Sequence, residues 1–158
     1  MRFTCKPAEP AFFDRAPWRF VNEVELNRTP DRVFAVFEDA ASWPKWFKGI
    51  KRVEWTTPQP FGVGTTRTVT LDSVVFERFF RWEPGRRFSF DFAAASAPLF
   101  NSFAEDYLLE PLAGGRTRFT YTVGIDPGFL LQVTAPIARK NFESMFKGGA
   151  LGLQRFCQ

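Results

Sequence analysis

Residues 103–123 read FAEDYLLEPLAGGRTRFTYTV, and they join two alternating segments through a glycine-containing turn. In the second segment, Phe119, Tyr121 and Val123 alternate with polar residues, which predicts that these three side chains share a buried face. Two such segments around a short glycine turn are typical of a hairpin in an antiparallel sheet. This hairpin is the starting point for the predicted fold.

The first segment allows two registers. One face would carry Phe103, Glu105, Tyr107 and Leu109, and the other face would carry Asp106. The face with Glu105 has more apolar area, so we predict that it points inward, which requires a three-residue connection at 113–115. A two-residue Gly-Gly turn would shift the register and bring Asp106 inward instead, so this alternative remains open.

Alternation and turn signals extend this pattern to seven strands, predicted at residues 18–26, 50–56, 65–71, 74–82, 87–92, 103–110 and 117–125. Two short helices follow the first strand, one beginning at Pro30 after Thr29 as N-cap, and the other carrying Trp43 and Trp46. Helical spacing over residues 136–156 predicts a long C-terminal helix. The fold class is therefore α+β, with an arm at 1–17 and one domain at 18–158.

Composition limits the possible functions. The chain has 21 Phe, 5 Trp and 2 Tyr, more ring surface than a small core needs, and rings on a curved sheet readily leave a hollow. There is no histidine, which removes the commonest general base and most zinc sites, so neither metal nor cofactor is expected. The net charge of +4 is spread without a basic stripe, so no nucleic-acid binding is expected. No segment has the ~20 apolar residues of a membrane span and the N-terminus is unlike a signal peptide, which predicts a cytoplasmic protein.

The two cysteines, Cys5 and Cys157, stand at opposite ends of the chain, and we expect free thiols. Trp43 and Trp46 have two interpretations: they pin their helix to the sheet edge, which we favour, or they form the rim of a cavity entrance.

Strand alternation also predicts a set of ligand-binding residues. On the strand at 74–82, the face with Phe76, Arg78, Phe80 and Trp82 is richer in apolar area, and we assign it inward. We expect Glu105 to pair with Arg78 or with an inward Arg67, because a lone buried charge is costly. The alternative is that these charges lie at strand ends and reach solvent. The ligand-binding residues predicted in this way are Asn22, Arg67, Arg78, Phe80, Trp82, Phe90, Phe103, Glu105, Tyr107, Phe119, Tyr121, Phe142 and Met145.

Several short motifs occur in a characteristic order: TPDRVF at 29–34, WPKW at 43–46, GVGTTR at 62–67, WEPGRRF at 82–88, LEP at 109–111 and GRTRF at 115–119. In this order and spacing the chain resembles the START-like (SRPBCC) superfamily of polyketide cyclases and dehydrases over residues 19–157. The resemblance implies a helix-grip fold, in which a seven-stranded antiparallel sheet curls around a long C-terminal helix and encloses a hydrophobic cavity. Family members bind lipids, sterols, hormones or polyketides, and some are cyclases or dehydratases.

Three functions follow from these observations. The first is non-catalytic binding of a small hydrophobic or amphipathic ligand. The second is a cyclase or dehydratase in which Glu105 acts as base and Tyr107 or Tyr121 donates to an enolate oxygen. The third is an interaction module that docks a partner protein through the N-terminal arm and the Trp43/Trp46 edge. Both a monomer and a homodimer remain open.

Overall fold

The computed structural model describes residues 1–158 and contains eight strands, five α-helices and one 3-10 helix at Ala40–Ser42. The strands are β1 (Phe3–Thr4), β2 (Trp18–Leu26), β3 (Arg52–Trp55), β4 (Thr66–Thr70), β5 (Val74–Glu83), β6 (Arg87–Ala95), β7 (Phe100–Leu112) and β8 (Arg116–Pro127). The helices are α1 (Phe12–Arg15), α2 (Pro30–Glu38), α3 (Trp43–Trp46), α4 (Phe129–Val133) and α5 (Ala135–Phe156).

The strands form one antiparallel sheet in the order β2-β8-β7-β6-β5-β4-β3, and α5 packs on one of its faces. This confirms the predicted α+β helix-grip architecture. In the β7–β8 hairpin, Tyr107 lies opposite Tyr121 and Leu109 opposite Phe119. The connection is the predicted three-residue turn at 113–115, so the register that points Glu105 inward is confirmed.

Helix α5 packs most closely against β2 and stands farther from β4–β7. Its rings contact β2, with centroid distances of 6.4 Å between Trp18 and Phe142 and 5.5 Å between Phe20 and Phe146. Farther along α5, a Cβ on Gly152 would lie 2.0 Å from the backbone oxygen of Trp46, so only glycine allows α3 to pack this closely. A space therefore remains between α5 and the middle of the sheet.

Helix α3 is fixed by its tryptophans, as expected. The Trp43 Nε1 donates to the Phe37 carbonyl oxygen at 3.0 Å, and the Trp46 Nε1 donates to Ser42 Oγ at 3.4 Å. Both rings are buried, and Trp43 also contributes to the wall of the space described above. Trp43 lies beside Arg67 on the buried side of this space and does not form an entrance rim.

The N-terminal arm is part of the sheet, which the sequence pattern did not show. Strand β1 pairs with the end of β6, where β6 and β7 are no longer paired to each other. The Cys5 N–H donates to the Ala93 carbonyl at 3.0 Å, and the Lys6 N–H donates to the Asn101 carbonyl at 2.7 Å. The arm thus bridges β6 and β7.

Cys5 and Cys157 are buried free thiols, as predicted.

The predicted facing of β5 is wrong over most of its length. Val75, Glu77 and Phe79 point inward, whereas Arg78 and Phe80 lie on the opposite, convex face. An irregularity between Phe79 and Arg81 then returns Trp82 to the inner side, as predicted. The convex face is apolar here because the arm covers it, with Phe13 stacked on Phe80 at 6.2 Å.

None of the helices is long and apolar enough to span a bilayer.

Candidate functional site

A cavity of about 250 Å³ lies between α5 and strands β4–β7. Most of its lining is hydrophobic, with rings from β6, β7 and α5 facing one another across the space. Exposed lining residues, including Gly49, Asp72 and Met145, mark the side on which the cavity meets solvent. Polar side chains line the opposite, buried side: Arg67, Glu77, Glu105 and Tyr107.

Arg67 comes from β4 and is 2% exposed. Its Nε donates to Glu77 Oε1 at 2.5 Å, across the β4–β5 pair. The guanidinium carbon lies 4.4 Å from the Trp43 ring centroid and 4.8 Å from that of Phe90, so the charge is also stabilised by ring faces. The Nη1 nitrogen is buried and has no hydrogen-bond partner.

Glu105 comes from β7 and receives two tyrosine hydroxyls on a single oxygen. Its Oε1 accepts from Tyr107 at 2.9 Å and from Tyr121 at 2.8 Å. Burial raises the pKa of Glu105 from 4.5 to about 8, and the charge of Glu77 adds to this effect. The tyrosine hydrogen bonds and Arg67 act in the opposite direction but do not cancel it.

The pKa values of the other acidic groups of the site are shifted in the same direction as that of Glu105. Burial raises the pKa of Glu77, which the charge and hydrogen bond of Arg67 oppose, and the two side chains form a buried ion pair. Burial also raises the pKa of Tyr107 and Tyr121, so both stay neutral. The polar side of the cavity is therefore an Arg67–Glu77 ion pair beside a protonated Glu105 held by two tyrosines.

The structure brings together seven of the predicted residues in the cavity wall: Arg67, Phe90, Phe103, Glu105, Tyr107, Phe142 and Met145. Tyr121 reaches the site through its hydrogen bond to Glu105. Trp82 and Phe119 pack in the surrounding core, and Asn22 is opposite Tyr121 but outside the wall. That any of these residues contacts a ligand stays a prediction.

Two predicted members of the site lie elsewhere. Arg78 is on the convex face, where its Nη2 donates to Asp91 Oδ2 at 2.9 Å and its side chain is 41% exposed. Phe80 packs against the N-terminal arm. The expected pairing of Glu105 with an arginine is also wrong, because Arg67 is hydrogen-bonded to Glu77 and Glu105 to the tyrosines.

Sequence reasoning missed Glu77, although a signal for it was present. Pairing β4 and β5 symmetrically about the turn at Asp72 places Arg67 opposite Glu77, as the structure shows. Opposite charges at directly opposed positions of an antiparallel pair favour each other. Ranking the two faces of β5 by apolar area alone hid this pair.

Comparisons with known proteins agree with this architecture. Residues 17–157 match the family described as polyketide cyclase / dehydrase and lipid transport. An uncharacterized protein of Mycobacterium bovis is 39% identical over 123 residues, which cover 77% of this chain and 73% of the relative.

Two solved structures share the fold at low sequence identity. A START superfamily protein from Mycobacterium smegmatis has a TM-score of 0.74 at 13% identity, covering 88% of this chain and 96% of its own. The ZhuI aromatase/cyclase from Streptomyces sp. R1128 has a TM-score of 0.68 at 15% identity, covering 85% of this chain and 87% of its own. From the match over residues 17–157, the chain belongs to the polyketide cyclase / dehydrase and lipid transport family.

Proposed function

We propose that the protein binds a small hydrophobic or amphipathic molecule in the cavity between α5 and strands β4–β7. The observation that carries this proposal is a ring-lined space of about 250 Å³ with a group of polar side chains on its buried side. Apolar walls with a few placed polar groups are the usual composition of a small-molecule site. The family description, which includes lipid transport, supports the same class of ligand.

A cyclase or dehydratase function is supported less well by the geometry. Such a reaction needs a general base in the cavity. With a pKa of about 8, Glu105 suits a general acid better than a general base at neutral pH, and the other buried carboxylate of the cavity, Glu77, is hydrogen-bonded to Arg67. An interaction module with a filled interior is also supported less well, because the interior contains the cavity.

The direct test is native mass spectrometry of freshly purified protein, followed by solvent extraction and identification of the released molecule. We expect a stoichiometric adduct of a small apolar compound. A clean mass of the free chain, together with no rise in melting temperature across a panel of lipids and aromatic metabolites, would contradict the proposal.

A matched pair of variants locates the bound molecule. Met145 lines the cavity from α5 and is 38% exposed, whereas Leu151 is on the same helix, 36% exposed and outside the wall. We expect Met145→Trp to lower adduct occupancy by narrowing the cavity, and Leu151→Trp to leave it unchanged. Equal occupancy in both variants would place the molecule elsewhere.

A further inference from the structure

The buried side of the cavity has more hydrogen-bond donors than acceptors. A guanidinium carries five N–H donors, and the protein uses one of those of Arg67, in the bond from Nε to Glu77. The Nη1 nitrogen is buried without a partner. Buried donors without acceptors are costly and rare in native proteins. A ligand oxygen next to Arg67 would supply the missing acceptor.

Glu105 supplies a second donor. Both tyrosine hydroxyls donate to its Oε1, and no protein group bonds to its Oε2. Because the carboxyl is held in its protonated form by burial, the acid proton belongs on the oxygen that accepts no hydrogen bonds. Glu105 also lines the cavity, so its free O–H is available to a ligand.

The charges of the site restrict what the ligand can be. Glu77 already neutralises Arg67 at 2.5 Å, and Glu105 is uncharged. An anionic ligand would therefore leave a net negative charge in a buried site, next to Glu77, which is unfavourable. A neutral oxygen acceptor satisfies the free donors without adding charge.

We propose that Arg67 and Glu105 together bind the carbonyl oxygen of an uncharged, ring-containing ligand, so that the cavity selects ketones over hydrocarbons and carboxylates of the same shape. This inference rests on the proposed ligand-binding function of the cavity. It names the chemical class of ligand that the site accepts and the two residues that select it.

Three probes of nearly equal shape test the selection: acetylnaphthalene, isopropenylnaphthalene and naphthoate, all substituted at the same ring position. The first two differ only in an oxygen that replaces a methylene group. We expect acetylnaphthalene to bind about tenfold more tightly than isopropenylnaphthalene in calorimetric titrations, a difference of about 1.4 kcal/mol. We expect naphthoate to bind more weakly than acetylnaphthalene as well.

The pH dependence of this preference tests whether Glu105 is one of the donors, because neither acetylnaphthalene nor isopropenylnaphthalene titrates. The preference should fall as the pH rises from about 7 to about 9.5, since Glu105 loses its proton in this range. In Glu105→Gln the amide remains a donor, and the preference should persist across the same range. The titratable or charged groups that face Glu105 or the cavity are Arg67 on β4, Asp72 in the β4–β5 turn, Glu77 on β5, Tyr107 on β7 and Tyr121 on β8.

Two variants complete the test, one at the proposed donor and one as a control on the convex face. Arg67→Met should abolish the preference for the ketone, and Arg78→Gln on the convex face should leave it intact. If Arg67→Met does not fold, the probe comparison and the pH series on the unmodified protein still decide the matter. Equal affinities for acetylnaphthalene and isopropenylnaphthalene at neutral pH would overturn the donor-pair inference while leaving the cavity as a binding site. If none of the probes binds, both the inference and the proposed binding function are overturned for ligands of this size.

Discussion

The two faces of the sheet both bury carboxylates, but they satisfy them differently. On the convex face, Asp106 receives Nε and Nη2 of Arg87, each at 3.0 Å, and Ser89 Oγ at 2.6 Å. On the concave face, Arg67 has one hydrogen bond and Glu105 leaves one oxygen without a partner. A buried charge alone therefore does not indicate a binding site.

On the convex face Asp91 Oδ1 is also buried without a partner, but Asp91 lies beneath the N-terminal arm, where its Oδ2 accepts from the Ala8 N–H. Unused donors that line a cavity, and not unused polar groups alone, distinguish the concave face.

The largest effect is expected from breaking the concave ion pair. Arg67→Met leaves Glu77 buried without its cation, and we expect a loss of about 3–5 kcal/mol in the free energy of unfolding. Urea denaturation at neutral pH measures it. The double variant Arg67→Met, Glu77→Met removes the unpaired charge and should recover most of the loss. A single variant as stable as the unmodified protein would show that Arg67 does not stabilise Glu77.

A smaller effect is expected from Glu105→Gln, and it depends on pH. The pKa of Glu105 is raised in the folded state, so folding favours the protonated carboxyl. The stability that this proton contributes is complete below pH 4.5 and is lost as the pH rises through about 8. Because the amide does not titrate, we expect the variant to gain roughly 2–4 kcal/mol relative to the unmodified protein between about pH 5 and about pH 9.

Chemical denaturation of both proteins across this range measures the difference. Glu77 is present in both proteins, so its own raised pKa largely cancels from the comparison. A difference in stability that stays constant with pH would show that Glu105 titrates at its ordinary pKa.

The smallest effect is expected on the convex face. Asp106→Asn removes the charge that holds Arg87, but this arginine side chain is 27% exposed and can turn to solvent. We expect a loss of about 1–2 kcal/mol in the free energy of unfolding and no change in the affinity for acetylnaphthalene. Thermal denaturation and calorimetric titration measure these two quantities. A weaker affinity in Asp106→Asn would mean that the two faces are coupled.

The sequence was sufficient for the fold because short-range signals agreed with one another. Thr29 and Pro30 begin α2 at the predicted positions, and the glycine turn at 113–115 sets the β7–β8 register. That register also determines that Glu105 points inward. Where one face of a strand is clearly apolar and the turn chemistry is clear, alternation is a reliable guide.

The prediction of the site failed on β5, where the N-terminal arm covers an apolar face that the sequence pattern assigned to the cavity. Phe76 and Phe80 made one face of β5 look buried, and it is partly covered, but by the N-terminal arm and not by α5. Alternation shows that a face is apolar, and it does not show what covers it. Alternation placed Glu105, Tyr107 and Tyr121 on one inward face, but it did not show that both hydroxyls would donate to one oxygen of Glu105.

The N-terminal arm has a consequence for how the sheet is assembled. Residues 3–6 occupy the seam between β6 and β7, and their partners lie about ninety residues later in the chain. Contacts of such separation form late and slow folding, so this seam stays open until most of the domain has been synthesised. A shortened chain that begins at Trp18 would expose unpaired backbone in the middle of the sheet. Such a strand edge is a template for pairing with another molecule, and we expect the shortened protein to aggregate.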